Sequence, residues 1–277
     1  MLVPTRVTRW TALHDGISSS LIAVVSVVRG LFLLLSGRPR TPLRVLCIAA
    51  FDTLHVLRNG KRLSMPELKT LAVLLDFGAC ANAVFDRKEG CRSERRVTLQ
   101  LLVEAGIGSS VADYVRRLAH LERGRPRPGG DRSRFQNVIA YREAVVRLSL
   151  GMVATAARVN PGLDEAIAAT DGDGDLNLLF RIVMLCQIID DVLDYSHDRS
   201  AGLPSFLTAC QSLPQSLKRT RVAARGYADD RHGKRPAGVF PLRVARFHVS
   251  LCTRLVVFLR RGSVRSHRGR PTVKRDD

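Results

Sequence analysis

The chain has 277 residues, of which 5% are aromatic, and its 44 Lys and Arg against 25 Asp and Glu give a net charge of +19. That length holds one large helical domain or two small ones with a substantial core, and the scarcity of aromatics and of strand-like alternation excludes a β-rich fold. The charge would ordinarily suggest nucleic acid or an anionic membrane, but the segment 231–277 alone holds 13 basic and two acidic residues. The remainder lies much nearer neutrality, and no nucleic-acid partner is expected.

In chain order, Ile17 to Leu35 is markedly apolar and follows Arg6 and Arg9. Arg29 interrupts it, leaving runs shorter than the roughly 18–20 residues of a membrane span, and no small-residue cleavage site follows. A core or membrane-surface helix is expected. Gly37 to Pro42 is a turn, and Leu43 to Leu57 a second helix. After a loop at Asn59 to Leu63, Ser64 and Glu67 make a capping box for a helix starting near Met65. That helix, Glu67 to Lys88, carries Asp76, Asn82 and Asp86, the last two at i and i+4 on one face. Arg87 and Lys88, then Arg92, Arg95 and Arg96, follow closely. Cations there can grip the oxygens of an anion or simply complement a helix C-terminus.

Glu104 to Ser110 breaks the helix, Val111 to Glu122 forms another, and Gly124 to Asp131 is a Pro/Gly loop. A long helix is expected over Arg132 to Val159, carrying Tyr141 and Arg142. The run Asp171 to Asp175 fails as a calcium loop, because Leu176 and Ile182 stand where glycine and glutamate belong. Asp173 or Asp175 instead suits the N-cap of the next helix. Further helices are expected over Pro204 to Tyr227 and Phe240 to Arg261. The last either rests on an anionic bilayer or completes the bundle. Beyond Gly262 the composition is that of a disordered basic tail, so the chain divides at 262 into a domain (1–262) and a tail (263–277). Six scattered cysteines without CxxC spacing argue against zinc or a disulfide framework and for thiols in a reducing cytosol.

The most informative stretch is Gln187 to Leu207, QIIDDVLDYSHDRSAGLPSFL, which follows the apolar run LLFRIVMLC. Read as one helix, it sets Asp190, Asp194 and Asp198 at i, i+4 and i+8 on one face, with Gln187 a turn earlier and Asp191 beside them. Like charges so spaced repel. A hard divalent cation relieves that repulsion, since Mg²⁺ is held through one or two carboxylates with phosphate oxygens and water around it. A solvated acidic face is the alternative.

Gln187-Ile-Ile-Asp190-Asp191-Val-Leu-Asp194, continuing through Asp198 to Gly202-Leu-Pro204-Ser205-Phe206, resembles the second aspartate-rich motif of trans-polyprenyl diphosphate synthases, with Leu203 in place of the usual lysine. The Asp190, Asp194, Asp198 spacing is also similar to the metal triad of class I terpene synthases. Both belong to the all-helical isoprenoid synthase superfamily, and the match covers residues 176–208. The resemblance implies an all-α, single-domain bundle of about ten helices around a central apolar cavity. It also implies two or three Mg²⁺ ions on Asp190, Asp191, Asp194 and Asp198, with Asn82 and Asp86 opposite as a degenerate first motif. Arg87, Lys88, Arg142 and Gln187 would serve catalysis, and Tyr141, Arg95 and Arg199 would bind substrate. The activity implied is ionisation of an allylic prenyl diphosphate by a cytoplasmic prenyltransferase, with a peripheral membrane contact and a homodimer both compatible. A terpene cyclase, or a degenerate relative that only binds a prenyl lipid, fits the same motif.

Overall fold

The computed structural model describes residues 6–35, 42–85, 91–127, 132–172, 174–229 and 240–268. They form eleven helices and, among the described residues, no strand, as an all-α fold requires. In order these are α1 (Arg6–Leu35), α2 (Pro42–Asn59), α3 (Met65–Phe85), α4 (Cys91–Glu104), α5 (Gly108–Arg123), α6 (Arg132–Ala156), α7 (Leu163–Gly172), α8 (Gly174–Leu193), α9 (Tyr195–Ala201), α10 (Leu213–Ala228) and α11 (Phe240–Arg268). Contacts divide the chain into two compact units. One comprises Met1–Arg123, Val145–Phe180 and Pro236–Val244, the other Gly124–Ala144, Arg181–Arg235 and Ala245–Asp277.

In the first unit each of α1 to α5 packs on the next, with Leu33, Ile48, Phe51, Leu54, Leu71 and Phe77 fully buried. Gly30 lets α1 and α2 approach closely, since a Cβ there would lie 2.8 Å from Val45 Cγ1. The capping box forms: Ser64 N donates to Glu67 Oε2 at 2.7 Å, and Glu67 N donates to Ser64 Oγ at 3.4 Å. Asp76, on the expected acidic side of α3, is buried and ion-paired with Arg44, which assigns it to packing.

Asp52 on α2 is fully buried, and an isolated carboxylate there would be costly. It accepts from Ser26 Oγ at 2.8 Å, Arg29 Nη1 at 2.9 Å, Leu63 N at 3.1 Å and Arg62 Nη1 at 3.2 Å. Arg29 therefore turns inward, away from the outer surface of α1. Every exposed residue between 18 and 35 is Leu, Val or Phe, with Leu21, Val28, Phe32 and Leu35 among them. By length and composition two helices can cross a membrane, Ser18–Leu35 at mean hydropathy 2.0 and Met65–Phe85 at 1.5; 22% and 50% of them, respectively, are buried. Arg29 thus does not disqualify α1 on those grounds.

Several expectations shift. α1 starts at Arg6, well before Ile17, and α7 was not foreseen. Asp175 lies in the first turn of α8 rather than at its cap, while Asp173 is outside the described residues. Helix α10 begins only at Leu213, because residues 203–212 follow an irregular path. α11 continues past Gly262 to Arg268, so the helix reaches into the segment assigned to the tail.

Candidate functional site

The aspartate-rich segment lies in the second unit and does not form one continuous helix. α8 ends at Leu193, Asp194 takes φ −89° and ψ 9°, and α9 begins at Tyr195. Two backbone bonds bridge the bend, Asp194 N to Asp190 O at 2.8 Å and Asp198 N to Asp194 O at 2.9 Å, so the turn-by-turn spacing of the three aspartates survives in the main chain. At its far end α9 closes on Gly202, whose left-handed φ of 65° suits glycine. Gly202 N donates to Arg199 O at 3.4 Å and Leu203 N to Asp198 O at 2.8 Å, the paired bonds of a Schellman closure. That closure turns the chain into Pro204.

The side chains diverge where the backbone spacing does not. Asp190 and Asp194 are exposed, whereas Asp191 and Asp198 are buried. Asp191 Oδ1 accepts from Arg142 Nη2 at 3.0 Å, and Oδ2 accepts from Phe206 N at 2.7 Å. The same Arg142 donates to Pro204 O at 3.0 Å and to Gln187 Oε1 at 3.4 Å. One guanidinium thus ties α6, the end of α8 and the Gly202–Pro204 turn together. Burial pushes the Asp191 carboxyl up to about 7 against the opposing pull of Arg142 and the Phe206 N–H. Arg142 Nε is buried and has no hydrogen-bond partner among the described residues, a spare donor of the kind that water or an anion oxygen satisfies.

Asp198 turns inward beside Ser205. Burial raises its carboxyl above the usual range, with the Ser205 hydroxyl pulling the other way. Ser205 N donates to Thr208 Oγ1 at 2.8 Å and Thr208 Oγ1 to Leu203 O at 2.7 Å. These hydroxyl bonds compete with helical ones, which accounts for the irregular path of residues 203–208. The expected ladder of three outward carboxylates is therefore corrected to two exposed ones a turn apart. Among the described residues, no group of three or more His, Cys, Asp or Glu is arranged to hold a metal ion.

The other sequence-derived candidates belong to several elements of the two units. Asn82 is exposed on α3 and Arg95 half-buried on α4, both in the first unit. Asp86, Arg87 and Lys88 lie outside the described residues. Arg199 is exposed on α9 and donates to Tyr195 Oη at 3.2 Å. Tyr141 is buried and accepts from Arg125 Nε at 3.1 Å. Arg125, Tyr195 and Arg260, whose guanidinium sits 5.4 Å from the Tyr195 ring centre, were not anticipated. Nothing in their local sequence marks them. Ser205 and Thr208 could have been found from their three-residue spacing after the Gly-Leu-Pro turn.

Comparison with known proteins finds no family model, no curated protein and no solved structure that matches this chain.

Proposed function

We propose that this chain is an Mg²⁺-dependent enzyme of isoprenoid metabolism that ionises an allylic prenyl diphosphate, acting as a prenyltransferase of the polyprenyl diphosphate synthase kind on the cytoplasmic side of a membrane. The observation that carries the reading is the pair Asp190 and Asp194, exposed and one turn apart beside the buried Arg142–Asp191 tie. That donor set suits Mg²⁺, which needs only one or two carboxylates when diphosphate oxygens and water complete its shell. Asp191 and Asp198 serve it less directly: the first spends both oxygens on Arg142 and Phe206 N, and the second faces Ser205. Bound there with the substrate, the ion would supply Lewis-acid withdrawal of charge from the departing pyrophosphate.

The chain's own residues have distinct tasks in this reading. Asp190 and Asp194 hold the ion. Arg142, through Asp191 and Pro204 O, fixes the bend that presents them. Its buried Nε has a donor to spare for an anionic oxygen nearby. Two observations favour, as a second reading, a relative that binds a prenyl lipid without turnover: Asn82 stands in place of a leading acid, and Asp198 turns inward.

Product analysis separates the readings. Incubated with Mg²⁺ and allylic prenyl diphosphates, each with and without a homoallylic diphosphate, the full chain should make a longer prenyl diphosphate only when both are present. Hydrocarbon from the allylic substrate alone would replace the transferase with a cyclase. Substrate recovered intact in every case would leave the lipid-binding reading.

A further inference from the structure

The outward surface of α11 carries large apolar side chains. Phe247, Leu251, Leu255, Phe258 and Leu259 recur at helical spacing, and Phe247 and Phe258 are 66% and 71% exposed. The inward side carries fewer and mostly smaller groups: Leu242, Ser250, Thr253 and Val257 are buried, and Thr253 Oγ1 lies 3.4 Å from Leu185 O. The helix is thus turned with its greasy side out, along about 18 Å of its length. It also holds seven arginines and no acidic residue. Arg254 and Arg261 are exposed, and on a helical wheel both lie along one edge of the apolar stripe.

We propose that α11 docks on an anionic lipid bilayer, with Phe247, Leu251, Leu255 and Phe258 entering the acyl boundary and Arg254 and Arg261 meeting lipid phosphates. Interfacial helices combine these features: an apolar face that sinks to the acyl boundary and a basic flank drawn to anionic headgroups. Charge complementarity separates this occupant from the others. A second copy of the chain would bring its own Arg254 and Arg261 to the edge of a two-fold contact of this helix, which holds no acid to pair with them, so like charges would oppose it. Nucleic acid would use the arginines but leave the phenylalanines and leucines in water. The inference narrows the membrane contact to one helix and does not depend on the prenyl chemistry, because vesicle binding is measured without substrate.

The test is flotation of the purified full chain with phosphatidylcholine vesicles, with and without phosphatidylglycerol, at low and raised salt. The wild type should float with the anionic vesicles, float far less with the neutral ones, and lose binding as salt rises. F247S/F258S should weaken binding more than ~100-fold, given the transfer free energy of two aromatic side chains. R254Q/R261Q should weaken it about 30-fold, at ~1 kcal/mol for each cation; if F247S/F258S fails to fold, the single change L251S at a 56% exposed site tests the apolar stripe in its place and should also weaken binding. Equal flotation with neutral vesicles, or wild-type binding by both variants, would overturn the proposal, the latter moving the contact to the apolar face of α1. So would binding that R254Q/R261Q loses and a folded F247S/F258S keeps, since that pattern marks a general polyanion surface. A wild-type dimer that F247S/F258S splits without loss of flotation would assign the stripe to a second copy instead.

Discussion

Replacing Arg142 by methionine probes the tie that shapes the acidic segment. Asp191 is 2% exposed and the Arg142 side chain 23% exposed; the variant would leave the carboxylate with the Phe206 N–H as its remaining bond among those described here. Removing one partner of a buried ion pair costs ~3–5 kcal/mol. The partial exposure of Arg142 lets water reach the vacated space, which puts the expected loss near the lower end, ~3 kcal/mol. R142M/D191L removes both charges and fills the space with apolar groups, so it should recover much of that loss, by ~2 kcal/mol or more, because an apolar pair replaces a buried ion pair at little net cost. Urea unfolding of wild type, the two single variants and the double variant above pH 8, where Asp191, raised to about 7 in the wild type, is ionised beside Arg142, closes the cycle. An R142M variant within ~1 kcal/mol of wild type, or a double variant no more stable than R142M, would refute the view that this pair is a coupled, buried anchor.

Two further predictions concern local geometry. Gly202→Ala places a Cβ on a left-handed residue with φ 65° and should cost ~1–2 kcal/mol in the same unfolding assay, whereas a loss below ~0.3 kcal/mol would mean that the closure of α9 relaxes freely. Glu67 is held below its ordinary value of 4.5, first by the Ser64 N–H against the opposing effect of burial. Its stabilising contribution is therefore fully present above about 4.5 and fades as pH falls through the lowered value. Glu67→Gln keeps the capping-box bond but loses the charge in the first turn of α3, so it should lower stability by about 0.3–1 kcal/mol at neutral pH and match wild type in acid; a gap that persists or widens as pH falls would contradict the sign.

What could be read from the sequence was mostly local. The capping box at Ser64 and Glu67 depends on residues three apart and forms as expected. The helical character of the whole chain followed from composition and the rarity of strand alternation. The aspartate spacing was legible because helical periodicity is a backbone property, and the bonds bridging Asp194 preserve it. The direction of the side chains was not legible. Asp191 and Asp198 are drawn inward by Arg142, Phe206 and Ser205, and such tertiary partners leave no periodic trace. The same limit explains residues 203–208, which read as helix until the hydroxyls of Ser205 and Thr208 are seen to capture backbone groups. Arg29 illustrates the reverse. Along the chain it looked like a break in an apolar run, but Asp52, 23 residues away, takes its charge out of the outer face.

The most direct test of the central claim is release of inorganic pyrophosphate from allylic prenyl diphosphates by the full-length chain, with Mg²⁺ or with excess chelator, for wild type and for D190N/D194N. Both aspartates are exposed, so the double variant should keep the cooperative unfolding of wild type, which is checked by urea unfolding before activity is read. Pyrophosphate release that requires Mg²⁺ and is lost in that folded variant is the predicted result. Release that survives the chelator, or that D190N/D194N retains, would contradict the assignment of these two carboxylates.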